Sequence, residues 1–301
     1  MKEVGKGMQF EWQKETGPDQ TVKKFLGTKG VSHRLISAAK QESDASFQLN
    51  GDLVDASEFV SVGDTIGFNL PDEPSDPNVP VSYEPLDIVA ETNHWLVVNK
   101  EAGLTVVPGP ANREDTLVNR IKGHLMNENS AQLVPHIITR LDRFTSGLVL
   151  VAKHRYANSL FSEQLANHEL KKTYIAIVSG NMEKAHDLID KPIRRADEGF
   201  NQIVAPDGKS AQTEYWVLGQ NDDYSLVKVN LLTGRTHQIR VHFQAIGHPL
   251  LGDELYHGPL NLGISRQALH ASELSFTDPF TGELQQFKAD LPADMAQLNN
   301  F

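Results

Sequence analysis

One aspartate, Asp142, stands where a protein scaffold can hold a reactive group. It lies in residues 140–147 (RLDRFTSG), with apolar residues before it at Ile137 and Ile138 and after it at 148–152. An aspartate beside Thr, Ser and Gly often does no more than accept backbone hydrogen bonds in a turn. A tight loop between two core strands, however, is also where a scaffold presents a rigid catalytic side chain. Asp142 is therefore a candidate catalytic carboxylate.

Two later stretches bring polar side chains next to apolar strand patterns. Residues 171–180 (KKTYIAIVSG) contain Tyr174, and a tyrosine in such a run is most often a half-buried strand aromatic. Residues 232–242 (LTGRTHQIRVH) contain Arg235 and Arg240, which suit phosphate binding or a surface helix face as well as an active site. The histidines of this stretch lack the i, i+4 spacing of a zinc-binding helix, so we predict no metal site.

The composition is that of an ordinary globular protein. The 301 residues are 39% hydrophobic and 22% charged, enough for one large domain and one small one. The absence of cysteine excludes disulfides, thiolate zinc sites and a cysteine nucleophile. No stretch approaches the roughly 20 apolar residues of a membrane span, and residues 1–20 lack a signal-peptide pattern. We expect a cytoplasmic, monomeric protein with no membrane partner.

The distribution of charge leaves nucleic acid open as a partner. A net charge of -11 alone argues against phosphate binding, which depends on Lys and Arg. Residues 21–40, however, contain no acidic residue, whereas residues 41–80 carry only acidic charges. The basic side chains of the first stretch are Lys23, Lys24, Lys29, Arg34 and Lys40. The acidic stretch is typical of a solvated face, and the basic one is a candidate binding surface.

Proline and turn signals divide the chain into three predicted parts: a small domain at 1–70, a linker at 71–85 and a large domain at 86–295. Residues 71–80 (PDEPSDPNVP) are rich in proline, which removes amide donors and favours extended backbone. Before them we predict helices at 21–25 and 32–40, a hairpin at Asn50-Gly51 and a strand within 60–68.

The large domain is predicted to be mostly strands. Apolar runs predict strands at 86–90, 94–99, 148–152, 173–178, 211–218, 224–231 and 269–276. Helical spacing of apolar residues predicts helices at 116–126 and 156–165. Many strands with few, irregularly ordered helices predict an α+β fold with a mixed, largely antiparallel sheet.

These stretches together resemble the RluA-type RNA pseudouridine synthases. That family carries a motif of the form HRLDxxTSGLxxxAK, which residues 140–153 reproduce, with Thr139 standing where the pattern usually has His. Residues 172–180 are similar to its KxYxAxVxG segment, and 232–253 are similar to nearly all of its third block. The resemblance spans about 86–292. The two basic helices and the hairpin of 1–70 resemble an S4-like RNA-binding domain of small α+β type.

The resemblance implies an enzyme that detaches uracil from C1′ of the ribose, rotates it and rejoins it through C5. It makes Asp142 the essential carboxylate, Tyr174 the active-site tyrosine and Arg235 the charge partner of Asp142; for Arg240 an active-site role and phosphate binding stay equally open. A guanidinium beside a carboxylate holds it ionised. The partner is rRNA or tRNA, no cofactor is implied, and the target uridine must be flipped into a pocket. The expected RNA-binding side chains are Arg140, Arg143, Lys23, Lys24, Arg34 and Arg240.

Three other functions compete with this one. A catalytically silent RNA-binding protein would not need Asp142, Tyr174 and Arg235 together. A zinc deaminase requires a histidine, a glutamate and paired cysteines, which are missing. A glycoside hydrolase requires a second carboxylate in a comparable setting, and Asp253 in Gly252-Asp253-Glu254 has the pattern of a turn. There is also no glycine loop of a nucleotide-binding type.

Overall fold

The computed structural model describes residues 8–42, 46–110, 112–199 and 201–298, so the first seven residues of the predicted small domain lie outside it. The strands are β1 (Gln9–Gln13), β2 (Gln20–Thr21), β3 (Phe47–Leu49), β4 (Asp52–Leu53), β5 (Phe59–Val60), β6 (Thr65–Asn69), β7 (Ile88–Glu91), β8 (Trp95–Lys100), β9 (His136–Ile137), β10 (Ser146–Ala152), β11 (Lys171–Ser179), β12 (His186–Asp190), β13 (Ile193–Arg195), β14 (Gln202–Val204), β15 (Gln212–Gln220), β16 (Tyr224–Leu231), β17 (Leu269–Thr277) and β18 (Leu284–Lys288).

The helices are fewer than the strands, and together they contain fewer residues. They are α1 (Val22–Thr28), α2 (His33–Glu42), α3 (Leu117–Asn127), α4 (Arg155–Ala166), α5 (Gln238–Ala245) and α6 (Ala293–Ala296), with a 3-10 turn at Glu254–Tyr256. In the described part of the chain, none of these helices has the length and apolar character needed to cross a membrane.

A ten-stranded sheet organises the larger part of the molecule. Its main path runs β12-β15-β16-β11-β17-β10-β8-β7, with β18 added beside β17 and β9 beside β10. Neighbouring strands are antiparallel except β10 and β17, which are parallel. The predicted α+β class with a mixed, largely antiparallel sheet is therefore confirmed.

One rung across this sheet aligns residues that are far apart in sequence. Tyr215 pairs with Val229, Val229 with Tyr174, and Tyr174 with Ala271. Ala271 in turn pairs with Gly147 at the start of β10. Side chains of one rung lie on the same face of a sheet, so the end of the predicted catalytic loop and Tyr174 are brought to one level of one sheet.

The N-terminal part packs around a core of its own. Helices α1 and α2 cover the four-stranded sheet β1-β6-β3-β4, and Val22, Leu26, Ile36 and Phe68 are buried between them. The hairpin turn predicted at Asn50-Gly51 is confirmed, because both residues have positive φ and β3 pairs with β4 across them. The helices predicted at 21–25 and 32–40 are also confirmed, with ends shifted by one to three residues. Whether this part is an S4-like domain stays a prediction.

The two parts meet at the start of α4. The hydroxyl of Tyr156 donates to the carbonyl of Lys29 at 2.6 Å, and Tyr156 belongs to the N-terminal core. The segment between β6 and β7, which includes the predicted linker, carries neither helix nor strand. It is held at Glu73, whose carboxylate contacts His136 at 2.8 Å and Arg155 at 3.0 Å. The linker therefore runs along the larger sheet rather than away from it.

The sequence prediction missed several short elements. Each strand and helix predicted in the large domain is present, with small shifts at the ends. Strands β1, β2, β5, β12, β13, β14 and β18 and helices α5 and α6 were not predicted. The missed strands have two to five residues, too few to establish an alternating apolar pattern.

A buried histidine, His154, joins the N-terminus of α4 to the sheet. Its Nδ1 accepts from the backbone N–H of Ala157, so its proton must be on Nε2, which lies 3.0 Å from Nδ1 of His94. Burial, assisted by the neighbouring His94, lowers the pKa of His154 to about 3. The neutral imidazole is therefore required for the contact between the helix and the sheet.

We predict that stability falls as the solution is acidified. Because the pKa of His154 is about 3 in the folded chain against an ordinary 6.5, only the unfolded chain takes up this proton between those values. The free energy of unfolding should fall by about 2 kcal/mol from pH 7 to pH 5 through this residue. Urea unfolding should show a smaller pH dependence for His154→Asn, which keeps a capping oxygen, whereas the exposed His33→Asn should behave as wild type. An equal pH dependence in all three proteins would contradict this account.

Candidate active site

The loop that carries Asp142 connects β9 to β10 and is fixed at its base. Backbone N–H groups of Ile138 and Thr139 donate to the carbonyl of Leu150 at 2.9 and 3.2 Å. The hydroxyl of Thr139 accepts from the backbone N–H of Leu150 at 2.8 Å, and Thr139 is buried. The residue that departs from the family motif therefore anchors the loop to the strand that follows it.

Two basic side chains, the buried Lys100 and the half-buried Arg266, hold the far side of the loop through its backbone carbonyls. The Nζ of Lys100 donates to the carbonyl of Arg143 at 3.0 Å and to two further carbonyls of residues 101–104. A guanidinium nitrogen of Arg266 donates to the carbonyl of Phe144 at 3.1 Å. An ammonium group offers three donors, and here three acceptors are present. These bonds fix the loop from two other parts of the chain.

The loop ends at a glycine that the sheet requires. Gly147 has a φ of +112°, and a Cβ there would lie 2.3 Å from the carbonyl oxygen of Ala271. A larger residue would clash with the backbone of β17, and an L side chain rarely adopts this φ. Asp142 therefore lies five residues before a point of fixed backbone geometry.

The charge partner of Asp142 is Arg240. Its guanidinium NH1 donates to Oδ2 of Asp142 at 3.1 Å, while its Nε and NH2 donate to both carboxylate oxygens of Asp253 at 2.7 and 2.8 Å. Arg240 is 6% exposed and Asp253 1%. Burial opposes the charge of Arg240, but the bidentate bond and charge of Asp253, followed by Asp142, raise the pKa of its guanidinium. The guanidinium is therefore a permanent cation between two carboxylates.

This arrangement leaves one oxygen of Asp142 unengaged. Among the described residues, Oδ2 meets Arg240 and lies 3.8 Å from Nε2 of His237, and no hydrogen bond reaches Oδ1. The side chain of Asp142 is 28% exposed. A carboxylate that is anchored through one oxygen and open through the other is suited to attack a ligand or to take a proton from it.

The prediction that Arg235 pairs with Asp142 is wrong. The Nε of Arg235 donates to the carbonyl of Ser210 at 2.9 Å, and the side chain is exposed on the cavity wall. Its backbone N–H is held by the side chain of Gln238, which closes the turn before α5. Arg240 lies within that helix, on the side that faces the loop. It is therefore Arg240, and not Arg235, that reaches Asp142.

A histidine at the start of α5 completes the polar side of the site. His237 has a φ of +54° and a ψ of +18°, a left-handed conformation that turns the chain into the helix. Its Nδ1 lies 2.9 Å from the hydroxyl of Tyr256, and the oxygen of that hydroxyl accepts from the backbone N–H of Gln202. Burial lowers the pKa of His237 against the opposing charge of Asp142, which favours the neutral ring. We assign its proton to Nε2, facing Asp142.

Tyr174 forms the apolar wall opposite these charges. It is 5% exposed and packs with the core residues of the rung described above. Burial, with a smaller contribution from the charge of Asp142, raises the pKa of its hydroxyl, so the phenol stays protonated at neutral pH. No protein partner for the hydroxyl is found in the described ranges, and Tyr174 lines the same cavity as Asp142. The ring and its hydroxyl are therefore available to a ligand.

The cavity between these walls has a volume of about 510 Å³. Of the described residues that line it, Asp142 is the one carboxylate. The cationic and titratable basic side chains on its wall are Arg140, His168, Lys172, Arg235, His237 and Arg240. In a chain of net charge -11, this cavity is a local site of positive charge.

The other predicted RNA-binding residues occupy different surfaces. Arg140 is exposed on the cavity wall, and Arg143 is exposed beside it, with Nε donating to the carbonyl of Gly103. Lys23 and Lys24 are exposed on α1, outside this cavity. Arg34 lies on α2 at a second cleft, of about 610 Å³, between α2 and α4.

Histidines and carboxylates elsewhere have other partners. His242 is fully buried, with Nδ1 at the hydroxyl of Thr213 and Nε2 at the carbonyl of Lys191. In the described ranges, Glu91, His124 and Glu128 place ligand-type atoms within 4.8 Å of one another. The ammonium of Lys153 already contacts Glu91 at 2.6 Å and Glu128 at 3.0 Å, so an internal cation occupies this acidic cluster.

Sequence reasoning missed Lys100 and Asp253. The sequence interpretation placed Asp253 in a turn, and it does follow one, but its carboxylate is buried against Arg240. A charged residue two positions after the apolar Pro249-Leu250-Leu251 was the available signal, because a buried carboxylate requires a cation. Lys100 at the end of the apolar strand β8 carried a similar signal.

Comparison with known proteins identifies the family of this arrangement. Residues 94–245 match the family described as RNA pseudouridylate synthase. The "Uncharacterized RNA pseudouridine synthase YjbO" of Bacillus subtilis (strain 168) is 40% identical over 279 residues, which cover 92% of this chain and 98% of that protein. The "Ribosomal large subunit pseudouridine synthase D" of Zymomonas mobilis is 40% identical over 228 residues, covering 71% of this chain and 72% of that protein.

Solved structures agree with the sequence comparison. Human RNA Pseudouridylate Synthase Domain Containing 1 superposes with a TM-score of 0.57 at 26% identity, over 70% of this chain and 85% of that chain. Human RNA Pseudouridylate Synthase Domain Containing 4 has a TM-score of 0.58 at 23% identity, over 69% and 90%, and this likeness concerns the fold alone.

We predict that the two arginines differ sharply in their effect on stability. Arg240→Lys keeps the charge but cannot bond two carboxylates at once, which leaves Asp253 poorly paired in the interior. The free energy of unfolding should fall by about 3 kcal/mol. Arg235→Lys, exposed on the same stretch, should change it by less than about 0.5 kcal/mol. Equal losses for the two variants in guanidinium unfolding would contradict the assignment of Arg240 as the charge partner.

Proposed function

The chain belongs to the RNA pseudouridine synthases, enzymes that isomerise uridine in RNA, and we propose that Asp142 is its catalytic carboxylate. The observation that carries this proposal is the anchoring of Asp142 by the buried Arg240, with one oxygen left open to a cationic cavity. A guanidinium that is itself fixed by Asp253 orients Asp142 and places a positive charge beside it.

The reaction places few demands on the protein beyond this carboxylate. Uracil is detached from C1′, rotated and rejoined through C5, with no redox change and no group transferred to another molecule. Three routes are consistent with it: attack of the carboxylate on C1′, removal of a ribose proton to form a glycal, and addition to C6 of the base. Each route uses the carboxylate of Asp142 itself. We therefore propose that no cofactor takes part.

Tyr174 is proposed to hold the uracil ring and to assist removal of the C5 proton. An aromatic wall beside the carboxylate suits stacking on a base that has left its own stack. Because the hydroxyl is protonated in the free enzyme, it can accept the C5 proton only as it passes its own proton on. Asp142 is the carboxylate of the cavity to which that proton can go.

The substrate is proposed to be a uridine in structured rRNA or tRNA. One relative is named a ribosomal large subunit pseudouridine synthase, which makes rRNA the first substrate to test. A uridine in such RNA must be flipped out, and Arg140 and Arg143 flank Asp142 where the vacated stack and the backbone would lie. Arg240 contributes by fixing Asp142 rather than by binding phosphate. Arg235, exposed at the cavity wall, is assigned to RNA binding instead of catalysis.

The N-terminal part is proposed to add RNA affinity without taking part in the chemistry. Lys23, Lys24 and Arg34 are exposed and form no ion pair within the described residues. Exposed cations without partners are suited to phosphate contacts. Replacing all three with Gln should weaken RNA binding in a filter assay and leave kcat unchanged, and a loss of kcat would contradict the proposal.

A cytoplasmic location and a monomeric state stay predictions.

We predict that Asp142→Asn abolishes the reaction. The amide has the size of the carboxylate but cannot attack or take up a proton, so tritium release from RNA labelled at C5 of uridine should fall on the order of a thousandfold or more. RNA binding should stay within about twofold, because the cationic wall is unchanged. Asp290→Asn, an exposed carboxylate outside the cavity, is the matched control and should release tritium at the wild-type rate. Undiminished release by Asp142→Asn would overturn the assignment.

We also predict that two substitutions of Tyr174 separate its ring from its hydroxyl. Tyr174→Phe keeps the stacking surface, so KM should be unchanged while kcat falls about a hundredfold through loss of proton transfer. Tyr174→Leu removes the ring as well, so KM should also rise by about tenfold or more. Steady-state tritium release measures both constants. Full activity of Tyr174→Phe would limit the residue to stacking.

A further inference from the structure

Lys172 lies on the wall of the active-site cavity. It is on β11 two residues before Tyr174, and alternate residues of a strand share a face. In the described ranges, the side chain of Lys172 forms no hydrogen bond and no ion pair. Burial alone lowers the pKa of its ammonium group. The strand therefore holds a half-buried basic side chain beside Tyr174, and no residue in the described part of the chain supplies an anion to neutralise it.

The neighbours of Lys172 make this position unfavourable for an isolated charge. The cavity wall around it includes the apolar Ile137, Ile138, Leu165 and Leu170. The carboxylate of the cavity, Asp142, is already engaged by Arg240 at 3.1 Å. An unpaired ammonium in such surroundings lowers the stability of the fold. A side chain that destabilises the ligand-free protein in this way is expected to gain its missing partner when a ligand binds.

We propose that Lys172 binds a backbone phosphate of the RNA strand beside the flipped uridine. This inference rests on the proposed function and adds a phosphate subsite to it. Two residues of strand separate Lys172 from Tyr174 by roughly 7 Å along the wall. With the uracil on Tyr174, the sugar-phosphate of the same nucleotide extends toward the cavity rim. A lysine is suited to this contact because its ammonium is a compact charge with three donors.

The chain offers a matched control in the adjacent residue. Lys171 is exposed, carries the same charge and points to the opposite face of β11. Lys171→Gln and Lys172→Gln therefore remove the same charge from the same strand, and only the second removes it from the cavity. Both are made alone for kinetics and in the Asp142→Asn protein for equilibrium binding, where no turnover disturbs the measurement.

The experiment measures binding of an rRNA transcript over a range of KCl concentrations. Lys172→Gln should raise Kd about tenfold, the loss of one charge-assisted contact. In the same variant, the slope of the logarithm of the binding constant against the logarithm of the KCl concentration should become less steep, by the amount that corresponds to about one phosphate contact. Lys171→Gln should change Kd by less than about twofold, since its charge is exposed and lies farther from the bound strand. In tritium release, Lys172→Gln should raise KM and leave kcat within about twofold.

Three results would overturn the proposal. Equal salt slopes for Lys172→Gln and Lys171→Gln would show that no phosphate is bound in the cavity. A fall in kcat with unchanged KM would place Lys172 on the reacting base instead. A lower Tm with unchanged Kd would make it a structural residue, whereas we expect Lys172→Gln to keep or raise the Tm. If wild type releases no tritium from any RNA, the proposed function fails, and the binding comparison still decides the subsite.

Discussion

The ion pair network of Asp142, Arg240 and Asp253 is the interaction on which the site depends. Burying the guanidinium of Arg240 is unfavourable unless its donors are used. Asp253 uses two of them from the interior, and Asp142 uses one from the cavity side. Such a network contributes little net stability, because desolvation offsets most of the attraction. It fixes the position of one oxygen of Asp142, and the second oxygen remains available to a substrate.

The loop that carries Asp142 is rigid because the bonds that hold it come from distant parts of the chain. Lys100 reaches it from β8, Arg266 from the segment before β17, and Leu150 from its own strand. Short loops with few local bonds are ordinarily mobile. Here the acceptors of these bonds are backbone carbonyls of the loop that have no partner within the loop. The same hydrogen bonds therefore satisfy the carbonyls and hold Asp142 in position. The parallel pairing of β10 with β17 then sets the loop at the level of Tyr174.

Sequence alone predicted the strands and helices with strong apolar periodicity, and it placed Asp142 on a loop between two strands. It chose Arg235 as the charge partner of Asp142, whereas the partner is Arg240, five residues later in the same polar stretch. The left-handed backbone at His237 decides which arginine reaches Asp142, because it starts α5 and turns Arg240 inward. Neither that conformation nor the burial of Asp253 follows from local residue pattern, because both depend on contacts across the fold. Lys100 was missed for the same reason.

The acidic composition of the chain and the cationic character of the cavity act over different distances. At physiological salt, charges are screened beyond about 8 Å, so a substrate at the cavity mouth responds mainly to the side chains around it. Four Lys or Arg side chains and one carboxylate line that cavity, although the whole chain carries a charge of -11. Three of those cations, Arg140, Lys172 and Arg235, have no carboxylate partner in the described part of the chain. The negative net charge of the chain would therefore predict a positively charged partner, which is the wrong sign. The unpaired charges around the cavity, rather than the total charge, determine what binds there.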